Sequence, residues 1–226
     1  MVAKVMDENN HITIPGFYDD VIEATAEERE LLNMAPYSEE EYKAGVGVTA
    51  LRGEKGYTTI ERVGIRPTFD LCGIWGGYTG EGSKTVLPSK AYAKISCRLV
   101  PNQDHEKISV LFKEYFESVA PEYVTVKVTP MHGGQAYGCP SGLPAYKAAE
   151  AAYIDTYGKR PIPMKSGGSI PIISAFEKVL GLKSILMGFG LGSDAIHSPN
   201  ENYRVDHFFK GIETIIAFYQ HFAKMQ

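Results

Sequence analysis

Cysteine is scarce: Cys72, Cys97 and Cys139 are the only three in 226 residues, and no two form a C-x-x-C pair. That excludes a disulfide framework and a thiolate zinc site, and makes a reducing, cytoplasmic setting the simplest expectation. Long apolar runs are absent as well, since none approaches the roughly 18 residues of a membrane span. The first ten residues carry Asp7 and Glu8 where a signal peptide would be apolar. The chain is therefore expected to be soluble, untargeted and without a membrane partner. Nor is there an excess of one charge. With 23 basic against 27 acidic residues the net charge is -4, which offers no field to collect nucleic acid. No internal repeat or low-complexity segment stands out. What is present is an ordinary globular composition, 44% apolar, enough for one large domain or two small ones.

Taken in order, residues 1–6 read as the last turn of a helix, and residues 11–18 as an extended connector broken by Pro15 and Gly16. Charge-rich stretches at 26–34 and 38–44 predict short surface helices, with Ser38 three residues before Glu41 as in a capping box. No chemistry is visible there. Residues 71–78 and 91–100 then read as strands. In the second, Ala91, Ala93, Ile95, Cys97 and Leu99 share one face, and Tyr92, Lys94, Ser96 and Arg98 the wet face. Ile108, Leu111, Phe112, Tyr115, Phe116 and Val119 follow helical spacing, and residues 123–129 alternate again as a strand. The order β-β-α-β is most of a ferredoxin-like sandwich. Beyond Gly133 and Gly134, helices at 145–157 and 170–180 alternate with strands at 162–165 and 184–187. The last helix carries one apolar stripe, Val205, Phe208, Phe209, Ile212, Ile215, Ile216, Tyr219 and Phe222, that must pack on something. The fold class expected is α/β: most of a ferredoxin-like α+β sandwich followed by part of an α/β layer.

Residues 187–201, M-G-F-G-L-G-S-D-A-I-H-S-P-N-E, come closest to chemistry. A strand runs into a glycine-rich turn and delivers His197 into a polar loop, where open α/β folds place ligand sites. One imidazole is too little to hold Zn²⁺, and a lone loop histidine more often has an ordinary surface role. Ser193 and Asp194 nearby lack the G-x-S-x-G turn of a nucleophile elbow, so no triad is defended. Residues 165–171, K-S-G-G-S-I-P, end a strand and start a helix whose free N-H groups suit a carboxylate or oxyanion. Equally, Ser169 could simply cap that helix. Residues 77–85 approach the phosphate-loop pattern, but Ser83 is inserted before Lys84 and a strand follows, so nucleotide binding is not expected. By pattern alone Arg98 is a solvated charge, although its planar fork suits a carboxylate if the strand faces a cleft.

Four stretches stand together in order: G-I-W-G-G-Y-T-G-E-G-S-K-T-V-L-P at 73–88, K-I-S-C-R-L-V-P-N-Q at 94–103, S-G-G-S-I-P at 166–171 and A-I-H-S-P-N-E at 195–201. In register they resemble the co-catalytic zinc peptidases of the aminoacylase, carnosinase and glutamate carboxypeptidase family, in particular its cytosolic dipeptidase branch. The resemblance covers the chain from about residue 10 onward. It implies that residues 1–132 are an incomplete lid and dimerisation domain, with 1–66 peripheral and 67–132 the sheet and helix core. Residues 133–226 would be the closing portion of the catalytic domain. His197 falls on the family's last metal ligand. Thr85 and Arg98 fall on lid positions that hold substrate, Arg98 through its carboxylate, and Gly168 with Ser169 on the turn that receives the substrate backbone.

The implied activity is hydrolysis of a dipeptide or N-acyl amino acid by metal-activated water, with two zinc ions, or manganese, as cofactor and a homodimer formed through the lid. This chain departs from the family in lacking an H-x-D segment, the general-base glutamate with its paired ligand, the bridging aspartate and the lid histidine that reaches the neighbouring subunit. Where carnosinase relatives carry histidine in a Ser-His-Pro stretch, Ser141-Gly142-Leu143-Pro144 stands instead. The expectation is that no catalytic group is retained, that the isolated chain is inactive, and that Met1 marks an internal start, a split gene or a trimmed product. The alternative is a non-catalytic association module.

Overall fold

The computed structural model describes residues 1–166 and 170–225. Seven α-helices and one two-stranded sheet make up its regular structure among those residues: α1 (Ala26–Asn33), α2 (Glu39–Val46), α3 (Thr59–Ile65), β1 (Asp70–Gly76), β2 (Ala91–Ser96), α4 (His105–Ser118), α5 (Pro144–Tyr157), α6 (Pro171–Leu180) and α7 (Val205–Ala223). The α/β class holds. The chain divides into two compact units, residues 1–137 with 164–174, and residues 138–163 with 175–226.

In the first unit β1 and β2 pair antiparallel, with a bulge at Cys72 between Leu71 and Gly73. Ile95, Cys97 and Leu99 turn inward as the alternation predicts. Ala91 and Ala93 stay exposed because the hairpin runs beyond the core. That core joins Val5, Ile12, Ile14, Phe17, Phe69, Ile108 and Phe116. Phe69, Phe112 and Phe116 stack within it, the last two with ring centres 4.6 Å apart. Gln103 is buried but satisfied, donating to the Phe17 carbonyl at 2.8 Å and accepting from the Val100 N–H at 3.0 Å.

Residues 123–129 do not form a strand. Val126 and Val128 pack on the core as the alternation requires, but no neighbouring strand pairs with this backbone among the described residues. Residues 162–165 and 184–187 are likewise not strands. A β-strand exists through its ladder, and the period of side chains cannot supply one. The start of the chain also departs from expectation, since residues 2–4 make only a single 3-10 turn.

The segment from 1 to 66, read as bland, is held by polar anchors. α1 and α3 both start with complete capping boxes, Thr25 with Glu28 and Thr58 with Glu61, whereas at α2 Ser38 accepts from the Glu41 N–H without the reciprocal bond. Glu61 is buried and takes Arg29 in a two-pronged pair at 2.7 and 2.9 Å, with Asn33 at 2.9 Å. Arg66, also buried, bonds Glu54 through two nitrogens at 2.8 Å and Glu23 at 2.7 Å. Its guanidinium lies between the rings of Tyr18 and Tyr57, 4.8 and 4.5 Å from their centres. His11 completes the cluster, stacked on Tyr18 and 2.9 Å from Glu54.

In the second unit α5 packs on α7 through small side chains. Ala148, Ala149 and Ala152 are buried on α5, Gly211 and Thr214 on α7. The hydroxyls of Thr156 and Thr214 meet at 2.8 Å, and His221 reaches Asp155 at 2.6 Å. α7 therefore uses its small-residue face for α5 and leaves the apolar stripe outward, with Val205 70% and Phe209 59% exposed. Gly181, at φ 67°, ends α6 where the sequence places a stop.

Candidate functional site

Thr85 lies exposed in the connection from β1 to β2, near Lys84, whose ammonium sits 5.6 Å over the Tyr78 ring. Arg98 follows β2. Its backbone is fastened on both sides to Thr68: the Arg98 N–H donates to Thr68 Oγ1 at 3.2 Å, and its carbonyl accepts from the Thr68 N–H at 2.9 Å. The guanidinium is exposed and has no hydrogen-bond or ion-pair partner among the described residues. A planar fork left free on a fixed backbone can take a carboxylate. No hydrogen bond links Thr85 to Arg98. On the next residue in, burial pushes the Cys97 thiol up to about 12, with Asp70 and Cys72 adding to it, so it is no nucleophile at neutral pH.

His197 belongs to the second unit, in a loop anchored at its base by both helices. The Tyr153 hydroxyl donates to the Gly188 carbonyl at 2.8 Å, and His207 Nδ1 stands 3.4 Å from the Phe189 carbonyl. Phe189 packs on Gly211, where an added Cβ would come within 3.3 Å of the ring. From there the chain makes one 3-10 turn, Gly192–Asp194, and continues with Ala195, His197 and Asn200 all at positive φ, 52, 62 and 63°. His197 is exposed, and both ring nitrogens are without a partner among the described residues. Beside the loop, Phe189, Tyr203, Phe208, Gly211, Ile212, Ile215 and Ile216 line an open apolar groove of about 330 Å³. After the loop, the hydrogen bond from Arg204 holds the Asp206 carboxyl down at about 2.

Gly168 and Ser169 lie outside the described residues. Just before them, Lys165 pairs with Glu28 at 3.4 Å, and its carbonyl passes so close to Gly64 that a Cβ there would stand 2.9 Å away. No three His, Cys, Asp or Glu side chains among the described residues come together as a metal-holding group. The donor chemistry thus fits a divalent ion at His197 as a single ligand and no more. The residue that the sequence reading undervalued is Asp194. Weighed only as part of a failed triad, it is 2% exposed with Oδ1 unpartnered. Its position three residues after Leu191, where a carboxylate can return to the backbone of a turn, was the available signal.

Residues 3–124 match the family model of the peptidase dimerisation domain. Across its whole length the chain is 31% identical to the Cys-Gly metallodipeptidase dug1 of Schizosaccharomyces pombe, covering 48% of that protein. It is 25% identical to the human Beta-Ala-His dipeptidase, covering 45% of it. Among solved structures, an M20 family metallo-carboxypeptidase from Sulfolobus solfataricus superposes with a TM-score of 0.85 at 30% identity, over 98% of this chain and 50% of that one. Human carnosine dipeptidase 1 gives 0.82 at 26%, over 99% and 48%. The chain spans about half the length of the curated relatives it matches. With more than half of its residues under the family model, and metallodipeptidases of the Dug1 and carnosinase type as homologues, the chain belongs to the M20 peptidase dimerisation-domain family.

Proposed function

We propose that this chain is the lid and closing catalytic portion of a dinuclear-metal dipeptidase, with residues 1–132 as the lid and 133–226 as the catalytic portion. The observation that carries the reading is His197, an unpaired imidazole held out on a strained loop in a chain of this family. When bound, two divalent ions, zinc or manganese, would supply Lewis acidity to the scissile carbonyl and lower the pKa of water. His197 would hold one of them through a ring nitrogen. Arg98 would clamp the substrate carboxylate with its free fork, and Thr85 would add a hydroxyl contact. Gly168 and Ser169 keep the role the resemblance assigns, receiving the substrate backbone. The substrate is a dipeptide or N-acyl amino acid, and the three free thiols fit a reducing cytoplasm.

In this reading the chain on its own does not turn over, because no residue of it stands as general base. Purified protein supplied with Zn²⁺ or Mn²⁺ is expected to leave Cys-Gly and β-Ala-His intact above the buffer rate. Hydrolysis that co-elutes with the protein and disappears in His197→Ala would overturn that expectation. A second reading, an association module, is favoured by the β1–β2 hairpin, which keeps Ile74, Trp75 and Tyr92 at least 45% exposed. It expects a dimer in sedimentation at tens of micromolar, and a strict monomer counts against it.

A further inference from the structure

Asp194 is used by none of the roles above, yet the loop that carries His197 is built on it. Its Oδ2 accepts the Leu191 N–H at 2.7 Å, its own N–H donates to the Leu191 carbonyl at 3.0 Å, and its carbonyl accepts the Asn202 N–H at 2.9 Å. One residue thus fastens both ends of the 191–202 loop. The Asn202 amide adds bonds to the Ser193 and Asn200 carbonyls at 3.3 and 3.1 Å. Between these ties Ala195, His197 and Asn200 adopt the left-handed region. Side chains with a Cβ hold that conformation only where the surroundings over-determine it, and such strain gathers at functional sites.

An ordinary turn cap would sit in water. Asp194 is instead 2% exposed, with Oδ1 buried and unpaired, an arrangement that opposes folding unless the carboxylate does something a smaller residue would not. The two residues it fastens, Leu191 and Asn202, flank His197 in the chain, and the ring nitrogens have no partner among the described residues.

We propose that Asp194 is the positioning residue for His197, a clasp that keeps the loop strained so that the ring stands ready for a divalent cation. The metal role rests on the reading of His197 given above, whereas the clasp stands on the loop geometry alone. The apparent affinity of a ligand falls with the fraction of molecules in the competent conformation. Loosening the loop therefore weakens the ring's hold on a cation even though the ring itself is untouched.

Nuclear magnetic resonance on the full labelled chain, titrated with Zn²⁺, tests both parts. In the wild type the Leu191 and Asn202 amides are expected to be protected from exchange. The His197 backbone should be rigid, with an order parameter of about 0.85, and its ring signals should shift before those of the other histidines. In Asp194→Ala, with α5 and α7 resonances unchanged, the order parameter is expected to fall below about 0.6, and the Zn²⁺ dissociation constant at His197 to rise at least about threefold. Asp194→Asn, which keeps an acceptor for the Leu191 N–H, should restore both. The proposal is overturned if Asp194→Ala changes neither quantity, or if Asp194→Asn fails as the alanine variant does. Unprotected Leu191 and Asn202 amides in the wild type overturn it without any variant having to fold. A wild-type His197 indifferent to Zn²⁺ would instead sink the metal assignment, and the order parameters would still decide the role of Asp194.

Discussion

Replacing Arg66 by methionine keeps most of the side-chain volume and removes the cation that Tyr18, Tyr57, Glu54 and Glu23 surround. Truncating one partner of a buried ion pair costs about 3–5 kcal/mol, because the other charge is left without compensation. The lower end applies here. Glu54 is 11% exposed and retains His11, while Glu23 is 63% exposed and contributes little. About 3 kcal/mol, with a urea slope of about 2 kcal/mol/M, moves the unfolding midpoint down by about 1.5 M. The sole tryptophan, Trp75, lies on β1, so its fluorescence follows the first unit directly. The effect should also depend on pH. Burial pushes the Glu54 carboxyl up, but hydrogen bonds from Arg66 and then His11 outweigh it and leave the group below its ordinary value. A carboxyl lowered in the folded state stabilises above its ordinary value of 4.5 and ceases to do so as pH falls through the folded value. The gap between wild type and Arg66→Met should therefore be widest above about pH 5 and close in acid. A midpoint shift under about 0.5 M, or a gap that grows on acidification, would refute the reasoning.

Glu61 offers a second acid-sensitive contribution. The Arg29 hydrogen bonds hold it at about 2, helped by the Thr58 N–H and Asn33, against an ordinary 4.5. It should add up to about 3 kcal/mol to the first unit at neutral pH. That stability should fade between about pH 5 and 2, and a Glu61→Gln variant unfolding with wild-type stability at pH 7 would contradict it. Gly64→Ala should raise helix propensity by about 0.5–1 kcal/mol, yet destabilise overall by about 1–3 kcal/mol, because its Cβ meets the Lys165 carbonyl backbone. A higher melting temperature in that variant would mean the close approach is not there. Thr214→Val should cost the second unit about 1 kcal/mol in thermal unfolding, since Thr156 keeps its bond to the Ala152 carbonyl at 2.8 Å. A loss several times larger would show that the Thr156–Thr214 contact holds more than one hydrogen bond.

The helices were legible because their spacing is a property of the local chain, as in the Ile108 to Phe116 stripe of α4 and the strong apolar period of α7. α3 escaped notice, being short and carrying the poor helix formers Val63 and Gly64, although Thr58 and Glu61 announce its start. The two strands at 71–78 and 91–100 were legible from composition and alternation, although β1 is Asp70–Gly76 and β2 stops at Ser96, before Cys97 and Leu99. Residues 123–129, 162–165 and 184–187 show the limit of that signal: side-chain order is local, and ladder partners are not. The same limit hid the Arg66 cluster, whose members His11 and Glu54 stand 43 residues apart. At the candidate site, the exposed loop before the last helix was readable from glycines and polar residues. The left-handed backbone of His197 and the burial of Asp194 were not, since both arise from how Leu191 closes on the Asp194 carboxylate and Asn202 on its backbone carbonyl.

The outward flank of α7 also bears on how the protein behaves in the hand. A helix with valine, phenylalanine and isoleucine turned to solvent along successive turns presents the cell with the chemistry of an unfinished nascent chain. Such a surface attracts chaperone holdases, clings to phenyl resins and salts out early. Yield and solubility during preparation should then track whatever covers that flank more closely than they track the melting temperature of either unit.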